Sequence, residues 1–478
     1  MSQFRPQERT TDLGTAPLGA LLVRLSMPGI VGMLVMSLYN VVDTFWVSGL
    51  PEGKEAIAAL TVMFPLQLIA GAFGVGTGIG VASLVARRFG EGRLDEVNDV
   101  GGNAVTLPLV VGILLTGTCL TFPEQMLYLF GAQADIMGLA MTYLTTVLLG
   151  MPFLLFSMTV AGLYRGSGNA VMPMITMGAS AGVNLVLDPF LIYGWGPFPH
   201  LGVQGAALAT VIAQVCSFAL SAGYLASSMS GYRIAPRHLM PRLRILRDIA
   251  QVGAPAFATQ FTNSLIATVF NRVLGSYGSV AIAAYGLTFR VMMLIFPLMM
   301  GVTQGLLPIV GYSFGAKQYR RLWGAFRTAT AWTSGLALAL SAALWIGSPA
   351  AVGLFARDPE LSRLTVLSLR IHLLTLCLVQ PTVMAVATLQ GMGMGPQAML
   401  LTLTRDVIFV VPGLLLLSAQ FGIAGAFAAR PVADVLALAV TAFYLSSVYA
   451  RYHGRAEEPA LAQPCEATVP DVEAGGGD

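Results

Sequence analysis

Two acidic side chains stand where acids are costly. Asp43 closes the run Tyr39-Asn40-Val41-Val42-Asp43, and Asp188 lies in Asn184-Leu185-Val186-Leu187-Asp188-Pro189, both within long apolar stretches. An ionisable group at mid-bilayer costs about 2.5–3.5 kcal/mol on insertion scales, so by default it marks a functional site with a partner. Asn40 precedes Asp43 by three residues and Asn184 precedes Asp188 by four, which puts each amide on the helical face of its carboxylate. Pro189 cannot donate to the carbonyl of Leu185 and leaves an acceptor beside the acid. Carboxylates, amide oxygens and a freed carbonyl suit a proton or a small hard cation. Burial disfavours the charged form of a carboxyl and a second carboxylate does so further, so such a pair can load and release a proton near neutral pH. The same acids could form the dyad of an intramembrane protease, but no Gly-x-Gly-Asp context surrounds either. His-Glu-x-x-His and Walker motifs are also missing from the sequence, which therefore does not read as an enzyme.

The elements that must position these acids are membrane helices. Charged residues make up 10% of the 478 and apolar residues 56%, against about 25% charged in soluble chains. Apolar runs of the length needed to cross about 30 Å of hydrocarbon recur at 25–47, 59–83, 103–121, 137–162, 171–193, 203–226, 252–274, 281–311, 326–347, 364–390, 398–418 and 423–448. The expected fold is all-α, with twelve transmembrane helices. Lys and Arg gather in alternate connections, among them Arg87, Arg88, Arg165, Arg242, Arg320 and Arg321, whereas the opposite loops offer Lys54, Arg357 and Arg363. By the positive-inside rule both termini are cytoplasmic, in agreement with an even number of crossings. No removable signal peptide is evident in the polar first 24 residues. Cys119, Cys216, Cys377 and Cys465 show no spacing for a metal site or a disulfide framework.

The punctuation of the chain repeats at an offset of 225 residues. Ala58-Ala59 returns as Ala283-Ala284, Phe89-Gly90 as Phe314-Gly315, and Gly166-x-Gly168 as Gly391-x-Gly393. Pro28 recurs as Pro255, and Gly202-x-x-Gly205 as Gly422-x-x-Gly425, each slightly out of step. Two pseudo-symmetric six-helix bundles follow, with a cavity between them that rocking exposes to either side. The divisions are an amino-terminal arm at 1–24, bundles at 25–226 and 252–450, a basic linker at 227–251, and a tail at 451–478 expected to be disordered. The linker reads as a positive-inside connector and tether rather than a nucleic-acid or lipid-headgroup patch. Gly71, Gly74, Gly76, Gly78 and Gly80 suit close helix packing, and Pro297 and Pro308 suit bending.

The carboxyl-terminal half has no matching acids, since the repeat positions of Asp43 and Asp188 fall near Asn271 and Val411. Its seventh span has Gln260 and Asn263, and its tenth has His372 and Gln380. Arg290, Arg405, Asp406, Arg430 and Asp434 are its remaining charges, with Arg405-Asp406 and Arg430-Asp434 expected as structural pairs. Coupling is therefore expected in the amino-terminal bundle.

With these residues in view, the chain resembles the multidrug and toxic compound extrusion (MATE) family over about residues 20–450. The matches are Leu38-Tyr39-Asn40-Val41-Val42-Asp43-Thr44, Asn184 to Pro189, Gly202-x-x-Gly205-Ala206-Ala207-x-Ala209-Thr210, and Gln304-Gly305-x-x-Pro308-Ile309-Val310-Gly311-Tyr312-Ser313-Phe314-Gly315-Ala316. The resemblance implies two six-helix bundles forming a V and export of amphipathic, often cationic, organic compounds in exchange for protons or sodium. It also implies that Asp43, Asn184, Asp188 and Thr210 belong to the cation-coupling pocket, joined here by Asn40 from spacing. Some members carry sodium-binding carboxylates on helices 7 and 10. This chain lacks them and looks more like the DNA-damage-inducible, proton-coupled branch, so protons are favoured, with sodium possible at the same four residues.

Met33, Met36, Tyr39, Phe64, Met158, Gln260, Met292 and Met293 are the expected cavity candidates. Protonation of the two acids from outside is expected to reshape the first helix and expel the cargo. The expected setting is a monomer in the cell inner membrane, contacting membrane lipid and small amphipathic molecules, with no cofactor beyond the coupling ion and no nucleic acid. The alternative is a flippase for a lipid-linked saccharide on the same architecture, kept open by Arg272, Arg290, Arg405 and Arg430.

Overall fold

The computed structural model describes residues 6–51, 53–293, 295–353, 355 and 358–453, with backbone alone described at 6–9, 40, 41, 44, 53, 54 and 453. Most of the expected disordered tail, with Cys465, lies outside the described residues. Within a bilayer every backbone N–H and C=O must be satisfied by the segment itself, and among the described residues every long element is helical.

In chain order these are α1 (Pro6–Thr15), α2 (Leu18–Ser48), α3 (Gly53–Val62), α4 (Phe64–Gly90), α5 (Leu94–Thr121), α6 (Pro123–Leu129), α7 (Met137–Gly166), α8 (Val171–Tyr193) and α9 (Val203–Ala226). The second half has α10 (Leu243–Gly275), α11 (Ser279–Met292), α12 (Phe296–Gly315), α13 (Tyr319–Gly353), α14 (Pro359–Leu373), α15 (Leu376–Gly391) and α16 (Gly395–Leu403). A π-helical turn over Thr404–Phe409 leads into α17 (Val410–His453).

Length and composition pick out eight crossings, or ten when the bent pairs α11–α12 and α14–α15 each count as one. The other two are hidden by two features. The run Gly395–Tyr452 is 58 residues long, about 87 Å of helix, which is far more than one crossing needs. It breaks at Gly422 (φ 61°, ψ −142°) into two. The remaining crossing is α10, whose 33 residues are diluted by Gln260, Asn263, Asn271 and Arg272. Twelve crossings result, as the sequence pattern requires.

Three of the expected continuous spans are broken rods. The 59–83 span divides into α3 and α4 at Met63, the 281–311 span into α11 and α12, and the 364–390 span into α14 and α15, which meet at 51°. Pro65 and Pro297 each sit in the first turn of the second rod, where the missing N–H has no intrahelical partner to lose. Hydropathy cannot register such a break, because the residues on either side remain apolar.

The internal repeat is visible in three dimensions. Gly202 and Gly422 share an unusual backbone (φ 56°, ψ −129° and φ 61°, ψ −142°) at the head of equivalent helices, and Gly168 and Gly393 share a left-handed one (φ 78° and 80°). A side chain on Gly90 would collide with the Tyr312 carbonyl, and one on Gly315 with the Arg87 carbonyl. Tyr312 and Arg87 each lie three residues before the other glycine, so the two halves meet through an exchange of equivalent contacts. Likewise Gly80 abuts Ile249 of α10 while Gly305 abuts Ser26 of α2. In this seam α4 packs on α10, and α12 on α2 and α4. Gly74, Gly76, Gly78 and Gly80 of α4 are all at close helix contacts, whereas Gly71 faces open space.

These seam contacts lie toward the Arg-rich ends of the helices. Ser83 Oγ donates to the carbonyls of Gln390 (2.6 Å) and Gly391 (3.2 Å), and Gln390 Nε2 donates to the Val252 carbonyl at 3.4 Å. At the same end α1 is tied down by Arg321 of α13, whose guanidinium donates to the carbonyls of Leu13 (2.8 Å) and Ala16 (2.6 Å). Leu13, Leu21, Leu22 and Leu25 are buried with Leu306, Ile309, Leu322 and Trp323 of the second half. The amino-terminal arm therefore latches the start of α2 onto the opposite half.

Candidate cation-coupling site

The long apolar helices carry the site into the interior of the first half. Asp43 comes from α2, Asn184 and Asp188 from α8, and Thr210 from α9. One turn beyond Asp43, the end of α2 is pinned to α8. Tyr193 Oη donates to the Trp46 carbonyl at 2.5 Å, and the two rings stand edge to face with centroids 6.0 Å apart. Gly49 lets that phenol approach, since a Cβ there would strike it. This clamp fixes how far Asp43 reaches toward α8.

Asp188 is fully buried and Asn184 is 2% exposed, while Asp43 is half-buried. The two carboxyl groups lie within hydrogen-bonding reach of each other. Asn184 is satisfied when its Nδ2 donates to Asp188 Oδ2 at 3.1 Å and its Oδ1 accepts from the Thr210 N–H at 3.3 Å. Thr210 Oγ1 donates to the Ala206 carbonyl at 3.0 Å. One oxygen on each acid, Oδ1 of Asp43 and Oδ1 of Asp188, is buried without a hydrogen-bond partner. A buried carboxylate oxygen left unsatisfied is expensive, and two ionised carboxylates at this range repel. A shared proton or a bound cation removes both costs.

The four residues singled out by the sequence are thus brought together, but the side chain of Asn40 lies outside the described residues. Tyr39 and Tyr143 are within electrostatic range of both acids. Tyr143 of α7, 4% exposed, was missed. It sits in an ordinary apolar run with no acid nearby in sequence, and only packing brings it close. The one local signal was a phenol within a span.

The cavity candidates fall in different settings. Met158 is half-buried beside Gly74 and Gly78 within the first half, and Met292 is 4% exposed in a core with Leu369 and Leu373. Met33 touches Gln304 (3.5 Å), which places it on the seam between α2 and α12. Met36, Phe64 and Met293 are exposed, and Tyr39 and Gln260 are half-buried.

The charges of the second half pair differently from expectation. Arg405 Nε donates to Asp434 Oδ1 at 2.8 Å and stands 3.9 Å from Asp406, so Arg405-Asp434 replaces Arg430-Asp434 as the close pair. Arg430 instead lies over the Phe289 ring at 5.7 Å and within reach of the Tyr285 hydroxyl. The π-helical turn carries Arg405 and Asp406, and its register turns Arg405 toward α17, a rotation that helical spacing alone does not anticipate. Arg272 and Arg290 are exposed. Among the described residues no group of three or more His, Cys, Asp or Glu could hold a metal ion.

Known proteins resemble this chain over most of its length. It is 24% identical to the multidrug export protein MepA of Staphylococcus haemolyticus, over 89% of this chain and 93% of that protein. It is 28% identical to an FAD transporter of Shewanella oneidensis, over 90% and 95% respectively. A solved structure of a multidrug resistance MATE family transporter in an outward-facing conformation superposes with a TM-score of 0.84 and 26% identity, covering 95% of this chain and 98% of that one. The sequence profile of the MatE family matches twice, over residues 28–190 and 255–415. Two matched segments, together covering more than half of a multi-pass helical chain, show that this protein belongs to the MatE family of membrane transporters.

Proposed function

We propose that this chain is a secondary exporter of amphipathic, often cationic, organic compounds, driven in antiport by protons entering at Asp43 and Asp188. The observation that carries the proposal is the carboxyl pair with a buried, unpartnered oxygen on each member. In the empty transporter the pair is an anionic trap in a low-dielectric interior, and either a proton or a cationic cargo relieves it. Competition between the two for one charge is the simplest basis for exchange. The glycine contacts hold the halves together at the Arg-rich end, and on this reading the halves part at the opposite end, nearer the acids. By the positive-inside rule that end faces outward, where protons would load.

Sodium would use the same four residues, whereas a proton needs only the two carboxyl groups, which lie within hydrogen-bonding reach of each other, and this supports protons as the coupling ion. The site would then need no metal or cofactor. Reconstituted vesicles with pH and sodium gradients imposed separately test the reading. Uptake of a cationic dye should follow the pH gradient and vanish in Asp188→Asn, and full sodium-driven exchange at equal pH would overturn proton coupling.

The likeness to an FAD transporter supports a second reading, in which the cargo is an aromatic organic anion. Inhibition of dye exchange by micromolar FAD, with FAD itself carried, would favour it.

A further inference from the structure

The connection between the halves is a strap docked on α5. The Asp99 carboxylate accepts from the Arg242 guanidinium, and Asn103 Oδ1 accepts from the Arg242 N–H at 2.9 Å. Asn98 Oδ1 accepts from the Arg233 N–H at 2.9 Å, Thr106 Oγ1 donates to the Leu239 carbonyl at 2.8 Å, and the Tyr232 phenol donates to the Leu163 carbonyl at 3.0 Å. Gly102 admits the strap, because a side chain there would strike the His238 carbonyl.

With its polar groups turned inward, the strap shares with the first turns of α10 a surface that the plain positive-inside connector expected from the sequence has no reason to carry. Met240 is 71% and Leu243 84% exposed, between the exposed Arg237 and Arg244, with exposed Arg233 and Arg247 beyond. None of these four arginines lies within 4 Å of a carboxylate among the described residues. Depth follows from α5. Its 28 residues span about 42 Å, whereas the hydrocarbon is about 30 Å thick. Because the apolar run of α5 continues to its far end at Thr121 while Asp95, Glu96 and Asp99 lie in its first turns, roughly eight residues project at the Arg-rich end, and the hydrocarbon boundary falls near Gly102 and Asn103. Leu239 and Met240, held by Thr106 and Asn103, sit at that depth.

We infer that the strap is an interfacial anchor, with Met240 and Leu243 in the acyl boundary and Arg237 and Arg244 holding the headgroups of anionic phospholipids. Apolar side chains interleaved with arginines at this depth match such a surface in both chemistry and charge. The occupant is a lipid of the leaflet on the Arg-rich side, and the inference does not depend on the nature of the cargo.

The test uses the full chain in detergent, titrated with phosphatidylglycerol or phosphatidylcholine and read by native mass spectrometry. The parent chain should retain phosphatidylglycerol preferentially. Arg237→Gln with Arg244→Gln should weaken that lipid alone, by about fivefold for each guanidinium lost, with an unchanged melting midpoint in phosphatidylcholine. Met240→Ser with Leu243→Ser should weaken both lipids. Equal retention of the two lipids by the parent, or undiminished phosphatidylglycerol binding by the double arginine variant, would overturn the anchor. Dye binding measured on the same samples reports separately on the cargo site.

Discussion

At the scale of single residues, unsatisfied atoms identify the chemistry. Asp188 is buried with a donor from Asn184 on one oxygen and none on the other, so replacing the acid by its neutral isostere removes the repulsion and, in the proposed function, the coupling. Asp188→Asn should fold at least as well as the parent while losing pH-driven exchange, a combination seen by pairing thermal melts with vesicle assays. Tyr143→Phe keeps the ring and removes the phenol. If that phenol helps hold the pair, exchange should slow by on the order of tenfold while dye binding persists. In the second half the relation reverses, because Arg405 has Asp434 at 2.8 Å and Asp406 at 3.9 Å, all in the interior. Arg405→Ala leaves two buried carboxylates uncompensated and should cost about 3–5 kcal/mol of stability. Adding Asp434→Asn should recover part of that loss, as a double-mutant cycle in detergent melts would register.

At the scale of elements, helix ends and breaks set where the functional side chains arrive. Gly202 and Gly422 hold backbone angles that side-chain-bearing residues avoid, and each is followed three residues later by a glycine pressed against a carbonyl, Gly205 on Leu191 and Gly425 on Leu417. Gly202→Ala or Gly422→Ala should each cost about 1–3 kcal/mol of strain. The first should also disturb coupling, since α9 carries Thr210 one helical stretch further on. A melt unchanged by either substitution would count against the strain. The clamp of Tyr193 on Trp46 works similarly for α2, fixing its end against α8.

At the scale of the whole molecule, the glycine seam holds the two halves in close contact at the Arg-rich end, and the proposed function makes it the gate there. Its reciprocal contacts, Gly90 on Tyr312 and Gly315 on Arg87, leave no room for side chains, so bulk there must push the halves apart. Gly90→Leu together with Gly315→Leu should shift the population toward opening at the Arg-rich end. Spin labels on the ends of α4 and α12 would show longer distances, and unchanged distances would mean that the seam is not the gate. The latch of α1 on α13 through Arg321 should act in the same direction, with Arg321→Gln lengthening those distances less than the glycine pair does.

The sequence by itself determined that the chain is a bundle of membrane helices in two related halves, because lipid imposes one solution on the backbone and apolar length is additive along the chain. It also singled out the two acids that the structure brings together, since a carboxyl among apolar neighbours is conspicuous wherever the chain later carries it. Only the tertiary structure decided which groups share the pocket. It brought Asp43 to Asp188, set Tyr143 within electrostatic range of both, buried Met292 in an apolar core, and re-paired Arg405 with Asp434. These outcomes depend on rod breaks, a π-helical turn and glycine-scale clearances between distant segments. A one-dimensional pattern does not encode them, because the energy of a contact depends on distances that exist only after the helices have packed.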